Sequence, residues 1–257
     1  MSAYHRAVGS KKGRVVIHLD ETTAGRRDHE GDLPGEWSFP AVEASSTVDL
    51  HVVVIDHRDS FTYNLVQSLS AAGARISVRL AETLTIDQLE QLSPDRLLLS
   101  PGPGSPARAD FARQALERYR GQIPILGVCL GHQVIALSLG ACVEPTGTPA
   151  HGKAEPVFHD GSGIFRGVPN PFAAARYHSL AVCPENLPKT LQVVARSESG
   201  MVMGVGVAGE ATWGLQFHPE SFLTPAGNLI LSSFLSGIVC EEDLDRQDFE
   251  RTDSHAH

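Results

Sequence analysis

The spacing of hydrophobic residues predicts alternating strands and helices from about residue 50 onward. Residues 51–55 read HVVVI, a short β-branched run that is typical of a buried parallel strand. Apolar residues then recur at helical spacing over 61–72, with Asp59-Ser60 as the expected N-cap and Gly73 as the stop. The first two elements are therefore predicted to be a buried strand and an amphipathic helix.

The same alternation continues to residue 139. The pattern predicts strands over 75–79, 97–99 and 123–128, and helices over 85–92, 109–120 and 130–139. Thr85 is the expected N-cap of the first of these helices. Strands that alternate with helices form βαβ units, so we predict an α/β fold with a doubly wound, mostly parallel sheet flanked by helices.

The second half of the chain has a different pattern, with little helix between successive apolar runs. These runs cover 172–182, 191–195, 201–207 and 212–217 and predict additional β-strands on the same domain. Thr224-Pro225 is the predicted start of a last helix that continues to about residue 238.

Both ends of the chain depart from these patterns. Residues 1–47 lack sustained periodicity, and we interpret them as an N-terminal extension that is partly disordered. Residues 48–240 form the predicted domain. Residues 241–257 hold seven acidic side chains against two arginines, which is typical of a solvated acidic tail.

Composition excludes several classes of protein. The chain has 257 residues, 42% of them hydrophobic and 20% charged, as in soluble globular proteins of one or two domains. Its net charge is −9 without a basic stripe, so a nucleic-acid partner is not expected. No apolar run approaches the ~18 residues that a membrane span needs, and no membrane partner is expected.

The cysteines are few and irregularly spaced. They lie at positions 129, 142, 183 and 240, a spacing that indicates neither a disulfide framework nor a zinc cluster. We therefore expect no metal site, a reducing cytoplasmic location, and structural roles for Cys142, Cys183 and Cys240.

Cys129 stands in the sharpest local motif, Gly127-Val128-Cys129-Leu130-Gly131, between a predicted strand and a predicted helix. Small residues two positions before and after a nucleophile permit a strained strand–turn–helix elbow that exposes the thiol. The helix N-terminus favours the thiolate, and the first helical amide points to where an oxyanion would form. The alternative is that Cys129 is a small buried hydrophobic residue.

Two further motifs follow predicted strands. In the segment 216–221, His218 and Glu220 are two residues apart, so extended backbone places them on one face, as a base and its orienting acid require. The alternative is a surface histidine near a turn. Pro101-Gly102-Pro103-Gly104 is a rigid loop whose backbone amides can receive a substrate or an oxyanion, and its alternative is a plain turn.

Together these motifs resemble those of the class I (triad-type) glutamine amidotransferases over roughly residues 50–236. The resemblance is closest to the glutaminase subunits of anthranilate synthase (component II) and aminodeoxychorismate synthase. The matching segments are Asp56 and DSFTYNL (59–65), LSPGPG (99–104), GVCLGHQ (127–133), HGK (151–153), RYHSL (176–180) and GLQFHPES (214–221). DSFTYN and RYHSL point to the chorismate-using branch, whereas DHRD (56–59) replaces the family's usual DNFD or DNYD.

The resemblance implies a role for each matching residue. Cys129 is implied as the nucleophile, His218 as its base and Glu220 as the partner of that base. The implied glutamine and oxyanion contacts are Gly102, Pro103, Gly104, Leu130, Gln133, Ser179 and Leu180, with Tyr177 and His178 shaping the pocket. No cofactor is implied for this chain, whereas the partner synthase is expected to use Mg²⁺.

The implied function is hydrolysis of L-glutamine and delivery of the ammonia to a chorismate-using synthase subunit, for tryptophan or folate biosynthesis. One alternative is a stand-alone hydrolase of γ-glutamyl bonds with the same triad. A second alternative is a catalytically silent regulatory partner of the synthase. The intact Cys129, His218 and Glu220 argue against the silent alternative.

Overall fold

The computed structural model of this chain describes residues 49–146 and 152–241. The predicted extension over 1–47, the tail beyond 241 and His151 of the HGK motif lie outside the described residues. Among those described, no helix combines the length and the apolar character that crossing a membrane requires.

The described residues form eleven strands and five α-helices. The strands are β1 (His51–Asp56), β2 (Arg75–Leu80), β3 (Arg96–Leu99), β4 (Ile125–Val128), β5 (Val143–Pro145), β6 (Lys153–His159), β7 (Phe172–Arg176), β8 (Leu180–Val182), β9 (Leu191–Ser197), β10 (Val202–Val207) and β11 (Thr212–Leu215). The helices are α1 (Thr62–Ala71), α2 (Ile86–Gln91), α3 (Asp110–Tyr119), α4 (Leu130–Ser138) and α5 (Gly227–Ser236).

Nine of the strands build one sheet in the order β2-β1-β3-β4-β11-β10-β9-β6-β7. Neighbouring strands from β2 to β11 pair in parallel, and those from β11 to β7 pair antiparallel. The predicted doubly wound α/β sheet with added strands is thus confirmed. Strands β5 and β8 form a separate antiparallel pair.

Helices cover both faces of the parallel half, which is why its strands are apolar on both sides. In β1, Val52 and Val54 pack in the same core cluster as residues of α1 and α5. The alternate side chains, Val53 and Ile55, pack with residues of α2, α3 and α4. All four side chains are fully buried, so the central strands are held between two apolar layers.

One predicted helix cap is confirmed and two are wrong. Thr85 forms a reciprocal capping box with Gln88 at the start of α2. Helix α1, however, begins at Thr62 with Phe61 at the N-cap position. The carboxylate of Asp59 accepts a hydrogen bond from the Phe61 backbone N–H at 2.7 Å, so it stabilises the turn before the helix.

Thr224 was also predicted as a cap, but α5 begins three residues later, at Gly227. The Thr224 hydroxyl accepts from the backbone N–H of Ala175 at 3.0 Å and donates to the carbonyl of His218 at 2.8 Å. A threonine that the local pattern assigns to a helix therefore joins β7 to the loop after β11.

The strand prediction for the second half is incomplete. Residues 172–182 form two strands, β7 and β8, which belong to different sheets. Strands β5 and β6 were not predicted, because most of their side chains are exposed or half-buried and provide no apolar run. The division into β7 and β8 bears on the site, since the turn between these strands carries Tyr177 and His178.

Candidate active site

Cys129 occupies a strained elbow between β4 and α4. Its backbone dihedrals are φ 53° and ψ −99°, a left-handed conformation that costs a non-glycine residue about 1–3 kcal/mol. The Cys129 backbone N–H donates to the carbonyl of Leu215 at 2.8 Å, which ties the elbow to β11. The elbow that the sequence predicts is therefore present, with the thiol at the first turn of α4.

Close packing explains the glycines on either side of the elbow. A Cβ on Gly127 would lie 2.4 Å from the carbonyl carbon of Gly131. A Cβ on Gly131 would lie 2.3 Å from the carbonyl oxygen of Leu99 in β3. Any side chain at either position would push α4 away from the sheet and displace the backbone amide of Leu130.

His218 and Glu220 follow β11 and are both buried. The Nδ1 atom of His218 lies 2.6 Å from Oε1 of Glu220, and the two side chains are 2% and 0% exposed. The imidazole of His218 is also hydrogen-bonded to the side chain of Cys129. The structure therefore brings the three residues of the expected triad into one continuous contact.

The partners of His218 decide its charge. Burial lowers the pKa of His218, but hydrogen bonds to Cys129 and Glu220 and the charges of both groups outweigh burial and raise that pKa to about 10. His218 is therefore an imidazolium at neutral pH. An imidazolium at this position can donate its proton to a departing group.

Two aromatic rings enclose the imidazole of His218. The ring centroids of Phe61 and Tyr177 each lie 5.1 Å from that of His218, both in edge-on geometry. The two aromatic rings also contact each other at 4.9 Å. Phe61 was not predicted as a site residue, and its place in the DSFTYN motif was the available signal.

A chain of amide contacts leads from Cys129 to β8. The Nε2 atom of Gln133 donates to the carbonyl of Leu180 at 3.0 Å and to Oε1 of Gln216 at 3.1 Å. The Nε2 atom of Gln216 lies 3.8 Å from the Cys129 sulfur and donates to it. Gln216 is thus a further site residue, and its place in the GLQFHPES motif was the available signal.

His178 is held neutral beside this chain of contacts. Nε of Arg176 donates to Nε2 of His178 at 3.1 Å, so Nδ1 of His178 carries the hydrogen and donates to the carbonyl of Leu180 at 2.8 Å. Burial lowers the pKa of His178 most, and although the bond to Leu180 raises it, the charges of Arg176 and His218 lower it further, to about 4. His178 lies beside Leu180, and its implied role in shaping the pocket stays a prediction.

The loop over 101–104 lies against the start of α4. A Cβ on Gly102 would lie 2.9 Å from Cδ2 of Leu130, and Gly104 has a φ of +92°. Pro103, Gly104 and Leu130 line one cleft of about 740 Å³. Of the predicted contacts, Ser179 is exposed, and its carbonyl accepts from the backbone N–H of Thr146 at 2.9 Å.

Comparison with known proteins decides the family. Residues 53–238 match the family model of class-I glutamine amidotransferases. The chain belongs to this family. It is 48% identical over 189 residues to anthranilate synthase component 2 of Thermus thermophilus. The aligned region covers 72% of this chain and 92% of that protein.

Two further comparisons agree with the family and the fold. Over 184 residues the amidotransferase is 45% identical to aminodeoxychorismate/anthranilate synthase component 2 of Bacillus subtilis, covering 72% of this chain and 95% of that one. A solved glutamine amidotransferase from Thermotoga maritima superposes with a TM-score of 0.57 at 17% identity, over 74% of this chain and 97% of that one. At that identity the superposition supports the fold alone.

Proposed function

We propose that this amidotransferase hydrolyses L-glutamine and passes the ammonia to a separate chorismate-using synthase subunit. The observation that supports the chemistry best is the buried contact of Cys129, His218 and Glu220 at the elbow. The names of the similar proteins support the chorismate branch, and they include both anthranilate and aminodeoxychorismate synthases. Either aminated product is compatible with these names.

The first half of the proposed reaction forms a thioester. The thiolate of Cys129 attacks the side-chain amide carbon of glutamine, and the backbone N–H groups of Leu130 and Gly104 donate to the resulting oxyanion. The imidazolium of His218 gives its proton to the departing nitrogen, which leaves as ammonia. A pKa raised to about 10 keeps that proton on His218 until the leaving group needs it.

The second half returns the enzyme to its starting state. The neutral imidazole of His218 takes a proton from water, and the hydroxide equivalent attacks the γ-glutamyl thioester to release glutamate. Glu220 fixes the tautomer and the orientation of His218 in both halves, which makes it a positioning residue.

The proposed glutamine pocket lies between the loop after β3 and the strand β8. In this proposal Gly102, Pro103, Gln133, Ser179 and Leu180 hold the glutamine. Support comes from the contacts of Gln133 with Leu180 and, through Gln216, with Cys129. We propose no cofactor for this chain's own steps and assign the expected Mg²⁺ to the synthase.

We propose that the synthase docks over the carboxyl ends of the parallel strands, near Pro103 and Tyr177. A docked synthase would shield the ammonia from protonation in bulk water. It would also tighten the alignment of pocket residues that lie far apart in sequence, and a misplacement of ~1 Å can cost about 100-fold in rate.

The decisive experiment compares two nitrogen sources in the assembled complex. We expect Cys129→Ser to lower glutamine-dependent product formation from chorismate at least about a thousand-fold, with ammonia-dependent formation unchanged. Cys142→Ser, which changes an exposed cysteine, is the matched control and should leave both rates unchanged. Equal loss of both rates in an assembled Cys129→Ser complex would contradict the assignment.

A second measurement separates the proposal from a stand-alone hydrolase. The kcat/KM for glutamine should rise tenfold or more when synthase and chorismate saturate the chain, which is about 1.4 kcal/mol of transition-state stabilisation. Full glutaminase activity in the isolated chain would favour the hydrolase, and no activity in either state would favour the silent regulatory partner.

A further inference from the structure

Two cysteines and a glutamate meet at one end of the β5–β8 pair, outside the proposed active site. Val143 pairs with Val182 in this ladder, so Cys142 lies opposite Cys183, whose backbone N–H donates to the Cys142 carbonyl at 2.9 Å. Glu144 is two residues after Cys142, on the same face of its strand. The donor atoms of the three side chains all lie within 4.8 Å of one another.

A hydrogen bond joins two of the three side chains. Both thiols are free, and Sγ of Cys142 donates to Oε1 of Glu144 at 3.2 Å. Two thiols and a carboxylate therefore offer three donor atoms that lie close enough together for one cation to bind all of them.

We propose that Cys142, Cys183 and Glu144 form a surface binding site for a soft divalent cation, and specifically for Zn²⁺. Two sulfur donors favour zinc or cobalt over magnesium and calcium. Binding replaces both thiol protons, which leave to solvent, and forms two metal–sulfur bonds and one metal–oxygen bond. Water fills the fourth tetrahedral position.

The geometry requires a small rearrangement at an accessible place. Zinc–sulfur bonds of about 2.3 Å in a tetrahedron set two sulfur ligands roughly 3.7 Å apart, so donor atoms that lie within 4.8 Å need to move by about 1 Å at most. Cys142 and Glu144 are exposed, and Cys183 is half-buried. Side-chain rotation can therefore close the site, and the ion can reach it from solvent.

The spacing of Cys142 and Cys183 along the sequence does not indicate a metal site. Cys142 and Cys183 are brought together by the pairing of β5 with β8, and neither belongs to a C-x-x-C motif. The expectation that both are structural rested on that spacing. Their convergence with Glu144 is a property of the folded chain.

Cobalt spectroscopy on the full chain tests the proposal directly. The background variant is Cys129→Ser, so that the active-site thiol cannot contribute to the sulfur-to-cobalt bands. Under a phosphine reductant and without oxygen, Co²⁺ should bind at one ion per chain with near-ultraviolet sulfur-to-cobalt bands and intense visible bands of a tetrahedral complex. Zn²⁺ should then abolish both sets of bands.

Variants in the same background identify the ligands. Cys142→Ser and Cys183→Ser should remove the sulfur-to-cobalt bands and weaken Zn²⁺ binding at least a hundredfold. Glu144→Gln should weaken Zn²⁺ binding about tenfold, whereas Glu185→Gln, an equal charge change at an exposed position near Cys183, should leave it unchanged.

Several results would overturn the proposal. These are a cobalt spectrum without sulfur bands, sulfur bands that persist in Cys142→Ser, and equal Zn²⁺ affinity in Glu144→Gln and Glu185→Gln. A reduced pair that binds neither metal but forms a disulfide in air would also overturn it, in favour of a redox pair. Every one of these measurements is independent of glutamine hydrolysis, because Cys129 is absent throughout.

Discussion

Two turns near the proposed active site each bury a histidine, and the two histidines differ in protonation state. His218 follows β11 and is 2% exposed, and His178 lies between β7 and β8 and is 4% exposed. The pKa of His218 is raised to about 10, whereas that of His178 is lowered to about 4. Nearly equal burial thus accompanies opposite protonation states at neutral pH.

The difference lies in the hydrogen-bonding partners. Burial lowers the pKa of both imidazoles, because it penalises the charged form. His218 faces Glu220 and Cys129, which favour the proton, whereas His178 accepts a hydrogen bond from the guanidinium of Arg176. The carboxylate of Glu220 thus keeps His218 protonated. The guanidinium of Arg176 keeps His178 neutral, and neutral His178 donates a hydrogen bond to the carbonyl of Leu180.

Replacing each histidine by asparagine should give the largest difference in glutaminase activity between the two positions. We expect His218→Asn to lower kcat/KM for glutamine by about 10⁵-fold or more, because the proton donor and acceptor is lost. His178→Asn should cost about tenfold, mainly through KM, because it loosens the Leu180 carbonyl. Steady-state glutaminase assays with saturating synthase and chorismate measure both, and equal losses would contradict the comparison.

Removing the carboxylate partner should have the next largest effect. Glu220→Gln keeps the size of the side chain but removes its charge, so the pKa of His218 should fall. We expect kcat/KM to fall about 10³-fold to 10⁴-fold. This loss is smaller than for His218→Asn, because removal of the orienting acid lowers the rate less than removal of the base does. Titration of His218 by NMR in both proteins checks the cause, and an unchanged His218 titration would refute it.

The two histidines should also affect stability on opposite sides of neutral pH. From pH 6.5 to about 10 the folded protein keeps a proton on His218 that the unfolded chain has lost, so this contribution falls as pH rises. From pH 6.5 down to about 4 the unfolded chain holds a proton on His178 that the folded protein lacks. The free energy of unfolding therefore decreases as the pH decreases through this range.

Urea unfolding at acidic, neutral and alkaline pH measures these slopes. His218→Asn should flatten the alkaline limb and His178→Asn the acidic limb. His132, whose pKa burial lowers to about 3, is present in all three proteins, so its slope cancels in the comparison. Flattening of the same limb by both variants would contradict the assigned charges.

The aromatic contacts of His218 should give the smallest effect. An edge-on aromatic contact is worth about 0.5–1.5 kcal/mol, so Phe61→Leu should lower kcat about 2-fold to 10-fold with little change in KM. Tyr177→Phe keeps the ring beside His218 and is the matched control, with kcat expected to stay near that of the parent. A change in KM alone would mean that Phe61 contacts glutamine and does not position His218.

Local patterns predicted the parts of the molecule whose reasons are local. The alternation of apolar runs predicted the parallel half of the sheet, because strands buried on both faces must be apolar throughout. The glycines around Cys129 predicted the elbow, since a Cβ at either position would collide with the neighbouring backbone. Thr85 predicted the start of α2, because its capping partner is three residues away.

Tertiary contacts decided what these patterns leave open. Thr224 has the chemistry of a helix cap, but its hydroxyl bonds to the backbone of Ala175 and His218 in the fold. Glu220 and Arg176 are each two residues from the histidine that they contact, but only the fold buries both histidines and brings Cys129 to His218. Cys142 and Cys183 lie far apart along the chain and become neighbours through strand pairing. Electrostatics and side-chain clustering depend on distances of a few ångströms, which only the packed chain sets.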